Sequence, residues 1–327
     1  IERGGVLAGA VKCAFGNKLG VDFVSDDISG LAKKKYGAVM VEAESLSDDD
    51  FKLIAKVSGI PMVTIGDESS VMDDLKDKFT GALESVFPTH AKASGIKAKN
   101  FAEKKEIYVC KHKAAQPKVI IPVFPGTNCE YDTAKAFERA GAQAQVLVIR
   151  NLCPSAIEES ISALEKAIKE SHIIMLPGGF SGGDEPDGSG KFIATTFRNP
   201  KIKDAVSGLL EQRDGLMLGI CNGFQALIKL GLVPYGKICD MRDDSPTLTY
   251  NNIGRHVSTI VRTRITSANS PWLMGVEPGD IHSVAVSHGE GRFVATTAEI
   301  DKLFANGQVA TQDVDDKGMP TMDTPYN

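Results

Sequence analysis

Residues 215–225, GLMLGICNGFQ, decide how the rest of the chain is read. An apolar run, 216–220, leads into Gly219-Ile220-Cys221-Asn222-Gly223, and a helix-like segment, 224–230, follows. The pattern predicts a strand, a sharp turn and a helix, with a cysteine at the apex. Glycines two residues to either side of Cys221 let neighbouring backbone pass a tight turn that a Cβ would obstruct. A thiol held there stands above the carboxyl end of a strand and the start of a helix. The helix N-terminus favours the thiolate, and its free N–H groups can hold an oxyanion. The chemistry expected is that of a nucleophilic cysteine on an α/β scaffold; the competing reading is a buried structural cysteine.

A nucleophile needs a base, and the chain has six histidines. His90 and His112 lie in a Lys-rich stretch, His172 opens an apolar strand, and His256 and His282 lie in or beside strand-like segments. His288 closes the alternating run 281–287 and opens His288-Gly289-Glu290-Gly291-Arg292. In an extended chain residues i and i+2 point to one side, which would put His288 and Glu290 on a shared face. A carboxylate beside an imidazole fixes its tautomer and stabilises the imidazolium formed when it takes the thiol proton. An incidental His-x-Glu in a surface turn is the alternative. A third element, Leu176-Pro177-Gly178-Gly179-Phe180-Ser181-Gly182-Gly183-Asp184, follows another apolar strand. Its consecutive glycines expose backbone N–H groups for a developing oxyanion at the carboxyl edge of the same sheet. A phosphate-binding loop fits less well, because no Gly-Lys-Ser/Thr follows and G-x-G-x-x-G is absent.

Taken together these elements resemble the class I, triad-type glutamine amidotransferases, and among them the glutaminase ends of the purine-pathway phosphoribosylformylglycinamidine synthases. The resemblance runs from about Pro117 to the C-terminus. It is carried in order by FPGTNCEYDTAKAFERAGA, LPGGFSGGDEPDGSGKFIA, LGICNGFQALIKLGLVP, SPTLTYNNIGRHVSTIVRTRI and AVSHGEGRF. The G-x-C-x-G-x-Q piece is shared by many amidotransferases, whereas GGFSGGDEPDGSGKFIA and SHGEGRF are particular to the purine enzymes. The resemblance implies Cys221 as nucleophile, His288 as base and Glu290 as orienting acid. It implies an oxyanion and substrate site at Gly178, Gly179, Phe180 and Asn222, with the N–H groups of Gly179 and Asn222 on the oxyanion and Gln225 helping to hold glutamine. His256 follows Gly254-Arg255 where many relatives carry an aromatic.

Composition bounds the rest. A chain of 327 residues with 42% hydrophobic and 24% charged residues is expected to form two soluble globular domains. A net charge of −5, with no basic stripe, argues against nucleic acid as a partner. No apolar run approaches the ~18 residues of a membrane span, and no secretory signal opens the chain. The six cysteines show no C-x-x-C pair, so neither a disulfide framework nor a metal site is expected, and a reducing cytoplasm suits them.

Along the chain, strands are expected at 119–124, 145–149, 172–176 and 216–220. Helices are expected at about 132–140, after Pro154 with Ile157, Ile161, Leu164 and Ile168 on one stripe, and at 202–210. This alternation predicts an α/β fold with a mostly parallel, doubly wound, flavodoxin-like sheet. Residues 248–264 and 281–294 read as antiparallel additions, and Trp272 as a local core anchor. A smaller α/β piece, 1–87, has strands expected at 36–41 and 61–65, a helix start at Ser47-Asp48-Asp49-Asp50, and a helix from about Ser70 to Val86. Stretches 3–9 and 25–27 hint at a ligand loop without complete chemistry. The piece looks similar to the tail of the ATP-using synthetase domain of those purine enzymes, joined by a Lys-rich linker, 88–116, to a glutaminase domain, 117–327. The expectations are therefore L-glutamine as substrate, no cofactor for the glutaminase, and Mg-ATP only at a synthetase portion that acts as partner. The alternatives are a stand-alone cysteine hydrolase acting on a peptide or ester, and a catalytically idle docking subunit.

Overall fold

The computed structural model describes residues 1, 3–45, 51–89, 91, 108–110, 113–180 and 190–320. These fall into two compact units, Ile1–Thr89 and His90–Asn327. The helix start expected at 47–50, His90 and His112, most of the Lys-rich stretch, and 181–184 of the glycine loop lie outside the described residues.

In the first unit the order is α1 (Gly5–Ala14), β1 (Gly20–Phe23), α2 (Ile28–Leu31), β2 (Ala55–Ser58), β3 (Met62–Ile65), β4 (Glu68–Val71) and α3 (Met72–Gly81). Its four-stranded mixed sheet runs β2-β1-β3-β4. Val6, Val21, Phe23, Leu31, Val63 and Met72 make its small core. Three expectations change here. Residues 3–9, read as a possible loop, largely enter α1. Residues 36–41 form no strand; Ala38 N–H closes a turn onto Lys35, and Tyr36, Val39 and Val41 are exposed. The helix expected from Ser70 begins only at Met72, because 68–71 pair with β3 as a hairpin over Gly66, whose φ is 56°.

The second unit begins with β5 (Lys118–Val123), α4 (Glu130–Arg139), β6 (Gln143–Val148), α5 (Pro154–Glu170) and β7 (Ile173–Leu176). It continues with α6 (Lys191–Phe197), α7 (Pro200–Ser207), β8 (Leu216–Gly219), α8 (Asn222–Leu230) and α9 (Leu232–Tyr235). All four strands are parallel, in the order β6-β5-β7-β8. β5 shows why both faces need covering. Val119 and Ile121 point to one side, with Ala142 and Met175, under α4; Ile120 points to the other, with Leu164, Ile168, Ile174, Leu176 and Phe197. In α5 the apolar stripe delivers Ile161, Leu164 and Ile168 to that core, while Ile157 stays outside. Chain order reverses around β5, which pairs with β6 on one side and β7 on the other. The crevice beyond the carboxyl ends of β5 and β7 is therefore the switch point at which such sheets take ligands.

The remaining elements are β9 (Thr247–Thr249), β10 (Val257–Ile265), β11 (Ile281–His288), β12 (Arg292–Val294), α10 (Thr297–Ala305) and β13 (Thr311–Val314). They pair antiparallel as β11-β10-β13 and β12-β9, as the alternation of 248–264 and 281–294 predicts. Trp272 anchors locally: its ring meets Phe137 of α4 edge-on at 6.2 Å, and its Nε1–H donates to the Met217 carbonyl of β8 at 3.1 Å. Among the described residues no helix is long and apolar enough to cross a membrane.

Candidate active site

The elbow between β8 and α8 is set by backbone sterics. Cys221 has φ 53° and ψ −112°, a strained region for a residue with a side chain, of the kind that clusters at functional sites. A Cβ on Gly219 would lie 2.6 Å from the Gly223 carbonyl oxygen, and one on Gly223 would lie 2.0 Å from that of Leu176. Both flanking glycines are thus required by the closeness of the turn to itself and to β7. The result is an exposed thiol at the N-cap of a nine-residue helix, with Gln225 N–H donating back to the Cys221 carbonyl at 3.0 Å. Ala226, Leu227, Ile228 and Leu230 root that helix in the core.

The glycine loop after β7 lies against this turn. A Cβ on Gly178 would come within 3.3 Å of the Cys221 Cβ and 3.5 Å of the Cys129 Sγ, so the two thiols flank Gly178. Gly179, at φ 139°, forms an isolated antiparallel bridge with Thr127 in the turn after β5. The hydrogen bonds of that bridge come from the N–H groups of Asn128 (3.4 Å) and Phe180 (2.8 Å), so the Gly179 N–H lies outside the pairing. A Cβ there would strike Gly126 and Thr127 backbone at 2.6 and 2.8 Å. Phe180 is about half exposed beyond the bridge. Gly190 lies against α8, where a Cβ would fall 2.9 Å from Ala226 N.

His288 comes from the end of β11. The extended chain stops there and Gly289-Glu290 bend, so the shared-face geometry expected for residues 288 and 290 gives way to a turn. The imidazole lies over Gly291, where a Cβ would fall 2.4 Å from ring carbon Cε1. Its Nδ1 meets the Asn251 Oδ1 at 3.1 Å. Glu290 contributes its backbone carbonyl, which accepts from Gln225 Nε2 at 3.1 Å, and Asn222 Nδ2 donates to Gln225 Oε1 at 3.0 Å. This chain of contacts, Asn222 to Gln225 to Glu290, ties the first turn of the cysteine helix to the histidine loop. Gly178, Gly179, Cys221, Asn222 and Gln225 thus gather at the carboxyl edge of β7 and β8, with the His288 loop tied to them through Gln225; the partner at His288 Nδ1 is Asn251, where the orienting acid was expected to be Glu290.

Electrostatics sort the groups. Burial, and then the nearby His256, hold the His288 imidazole below its ordinary pKa of 6.5, so it stays neutral and able to accept a proton near neutrality. His256 itself meets Ser287 Oγ through Nε2 at 2.9 Å. Burial and the Cys221 thiol push Cys129 up, leaving it a protonated neighbour. Cys153, exposed at the N-cap of α5, is held below the usual thiol range by the Ser155 hydroxyl and the Ala156 N–H. Position at a helix N-terminus is thus shared by Cys129, Cys153 and Cys221, and the strained elbow is what sets Cys221 apart. Two neighbours escaped sequence reasoning: Cys129 and Asn251 stand inside the motif stretches, but nothing local signals that they reach the site. Among the described residues no group of three or more His, Cys, Asp or Glu side chains is placed to hold a metal.

Comparison with known proteins bears on the same region. Residues 116–327 match the model of the CobB/CobQ-like glutamine amidotransferase domain. A Treponema denticola protein named phosphoribosylformylglycinamidine synthase subunit PurQ is 34% identical over 204 residues, covering 60% of this chain and 70% of its own length. A Methanococcus maripaludis protein of the same name is 32% identical over 204 residues, covering 62% and 69%. A solved structure of PurLQS from Thermotoga maritima aligns with a TM-score of 0.44 at 26% identity, over 62% of this chain and 76% of that one. With the family model spanning most of the chain and the cysteine elbow, glycine loop and histidine loop assembled within it, this chain belongs to the CobB/CobQ-like glutamine amidotransferase domain family.

Proposed function

We propose that the chain is the glutaminase part of a phosphoribosylformylglycinamidine synthase, releasing ammonia from L-glutamine through Cys221, His288 and Glu290. The observation that carries the reading is Cys221 in a strained elbow at the carboxyl end of β8, next to the strand that borders the switch point, with the His288 loop tied to its helix by Gln225. The PurQ relatives support the purine assignment.

In this reading His288 Nε2 takes the thiol proton, and the thiolate of Cys221 attacks the side-chain amide carbon of glutamine. The oxyanion that forms takes hydrogen bonds from the N–H groups of Gly179 and Asn222, while Gly178, Phe180 and Gln225 shape the substrate cleft. His288 returns its proton to the departing ammonia. Water then attacks the thioester, His288 again serving as base, and glutamate leaves. Glu290 supports the imidazolium charge. The ammonia serves the ATP-dependent conversion of formylglycinamide ribonucleotide to its amidine at a synthetase portion, which holds Mg-ATP; the glutaminase itself uses no cofactor. Residues 1–87 are the tail of that synthetase domain, 88–116 a linker and 117–327 the glutaminase domain, working in the cytoplasm.

The test is glutamine hydrolysis by the 327-residue chain, alone and with the synthetase portion, ATP and the ribonucleotide. Turnover is expected to be slow alone and to rise on the addition, with a glutamine-like electrophile alkylating Cys221 before Cys129 or Cys153. A rate indifferent to the addition would mean a free-standing hydrolase, as would faster cleavage of a γ-glutamyl peptide; an unreactive Cys221 would mean a docking subunit.

A further inference from the structure

We infer that Asn251 is the positioning residue that decides which nitrogen of His288 carries the proton. The catalytic meaning of this rests on the glutaminase reading above; the tautomer itself is a property of the resting chain.

Asn251 is 3% exposed and is fastened at every polar atom. Its backbone N–H donates to the Gly289 carbonyl at 3.0 Å, and its carbonyl accepts from Gly254 N–H at 2.9 Å. Its side-chain Nδ2 faces two carbonyl oxygens, Arg255 at 3.1 Å and His288 at 2.8 Å. Carbonyls only accept, so this end of the amide must be the NH₂ group. Its Oδ1 faces the Gly291 N–H at 3.2 Å, a group that only donates. The amide therefore has one permitted orientation, and Oδ1 presents nothing but lone pairs to His288 Nδ1 at 3.1 Å. For that contact to be a hydrogen bond, Nδ1 must carry the hydrogen. In the neutral ring Nε2 is then the bare nitrogen, the form a base needs if it is to take a thiol proton.

The same contacts explain why an amide serves better here than a hydroxyl, which can donate as well as accept and would leave the ring free to choose. They also fix the position of the loop. Asn251 lies on a polar turn between β9 and β10 and grips residues 288, 289 and 291 of the histidine loop in succession, so the imidazole is clamped from outside its own strand.

The test reads the tautomer directly by ring-nitrogen NMR on the full-length chain above its titration range, with the His288 signal assigned by its loss in His288→Gln. The wild-type chain should show Nδ1 protonated and Nε2 bare. Asn251→Ala should give a mixture of tautomers and lower kcat by about 10²-fold with KM little changed, the low end of what a positioned acid–base group contributes. An Nε2-protonated ring in the wild-type chain would overturn the assignment. So would an Asn251→Ala chain with its tautomer unchanged, since that would reduce Asn251 to loop packing. If the wild-type chain turned over no glutamine even with a synthetase portion, the functional reading would fall, and the tautomer measurements would still decide this one.

Discussion

The turn at Cys221 and the loop at His288 are joined through Gln225 but are held by different physics. The elbow is a matter of short-range sterics: a positive φ at Cys221, and glycines at 219 and 223 because backbone atoms stand 2.0–2.6 Å from where their Cβ would be. The histidine loop is a matter of long-range polar contacts, with Nδ1 held by a side chain 37 positions away and the loop joined to the cysteine helix through Gln225 across 65. Strain that is built into backbone resists small perturbation and fails all at once. A hydrogen-bonded clamp yields by degrees, one partner at a time.

The largest effect should come from the elbow. Gly223→Ala drives a methyl group into the Leu176 backbone, where neither side can withdraw. Destabilisation of about 3 kcal/mol is expected, the upper range for overpacking, together with loss of Cys221 alkylation. Chemical denaturation and mass mapping would check both. If that variant melted normally and still reacted, the contrast between the two regions would collapse.

The histidine loop should separate activity from stability. His288→Ala is expected to lower glutamine turnover by a factor on the order of 10²–10⁴, the range for a lost acid–base group, with little change in the denaturation midpoint. Glu290→Gln should keep a weak residue of turnover, because the backbone carbonyl that meets Gln225 survives the change. Steady-state kinetics beside a melting curve would show it. Near-normal turnover in His288→Ala would mean the triad is wrongly assigned.

The smallest effect concerns pH. His288 must be neutral to act as base, so turnover should fall as pH drops through a midpoint below 6.5, the side to which burial and His256 displace it. His256→Asn removes the second and lesser cause and should move that midpoint up. A midpoint that moved down, or stayed, would show that the charge of His256 does not reach the imidazole.

The same contrast explains what was legible in the sequence. The alternating units 119–220 and the elbow could be read because apolar periodicity and glycine spacing are local signals, and β5, α5, β7 and β8 form at those places. The gathering of Gly178, Gly179, Asn222 and Gln225 follows from strand order alone once the sheet is parallel. Asn251 could not be read, since its role exists only when two turns meet. Cys129 was hidden for a related reason: it neighbours Cys221 because β5 and β7 are adjacent, not because of anything around residue 129. In the first unit, 36–41 looked like a strand by composition, yet no strand among the described residues pairs with it. Residues 70–71, expected to open a helix, became part of a hairpin arm.

Trp272 gives the site an unplanned optical property. It is the chain's single tryptophan, and its indole N–H rests on the Met217 carbonyl, in the strand that runs directly into Cys221. Intrinsic fluorescence therefore comes from one known place, on the outer edge of the reactive strand and against the helix that follows β5. Any shift of β8 when an electrophile alkylates Cys221 would alter the polarity around that indole, so the reaction could be followed without an attached dye.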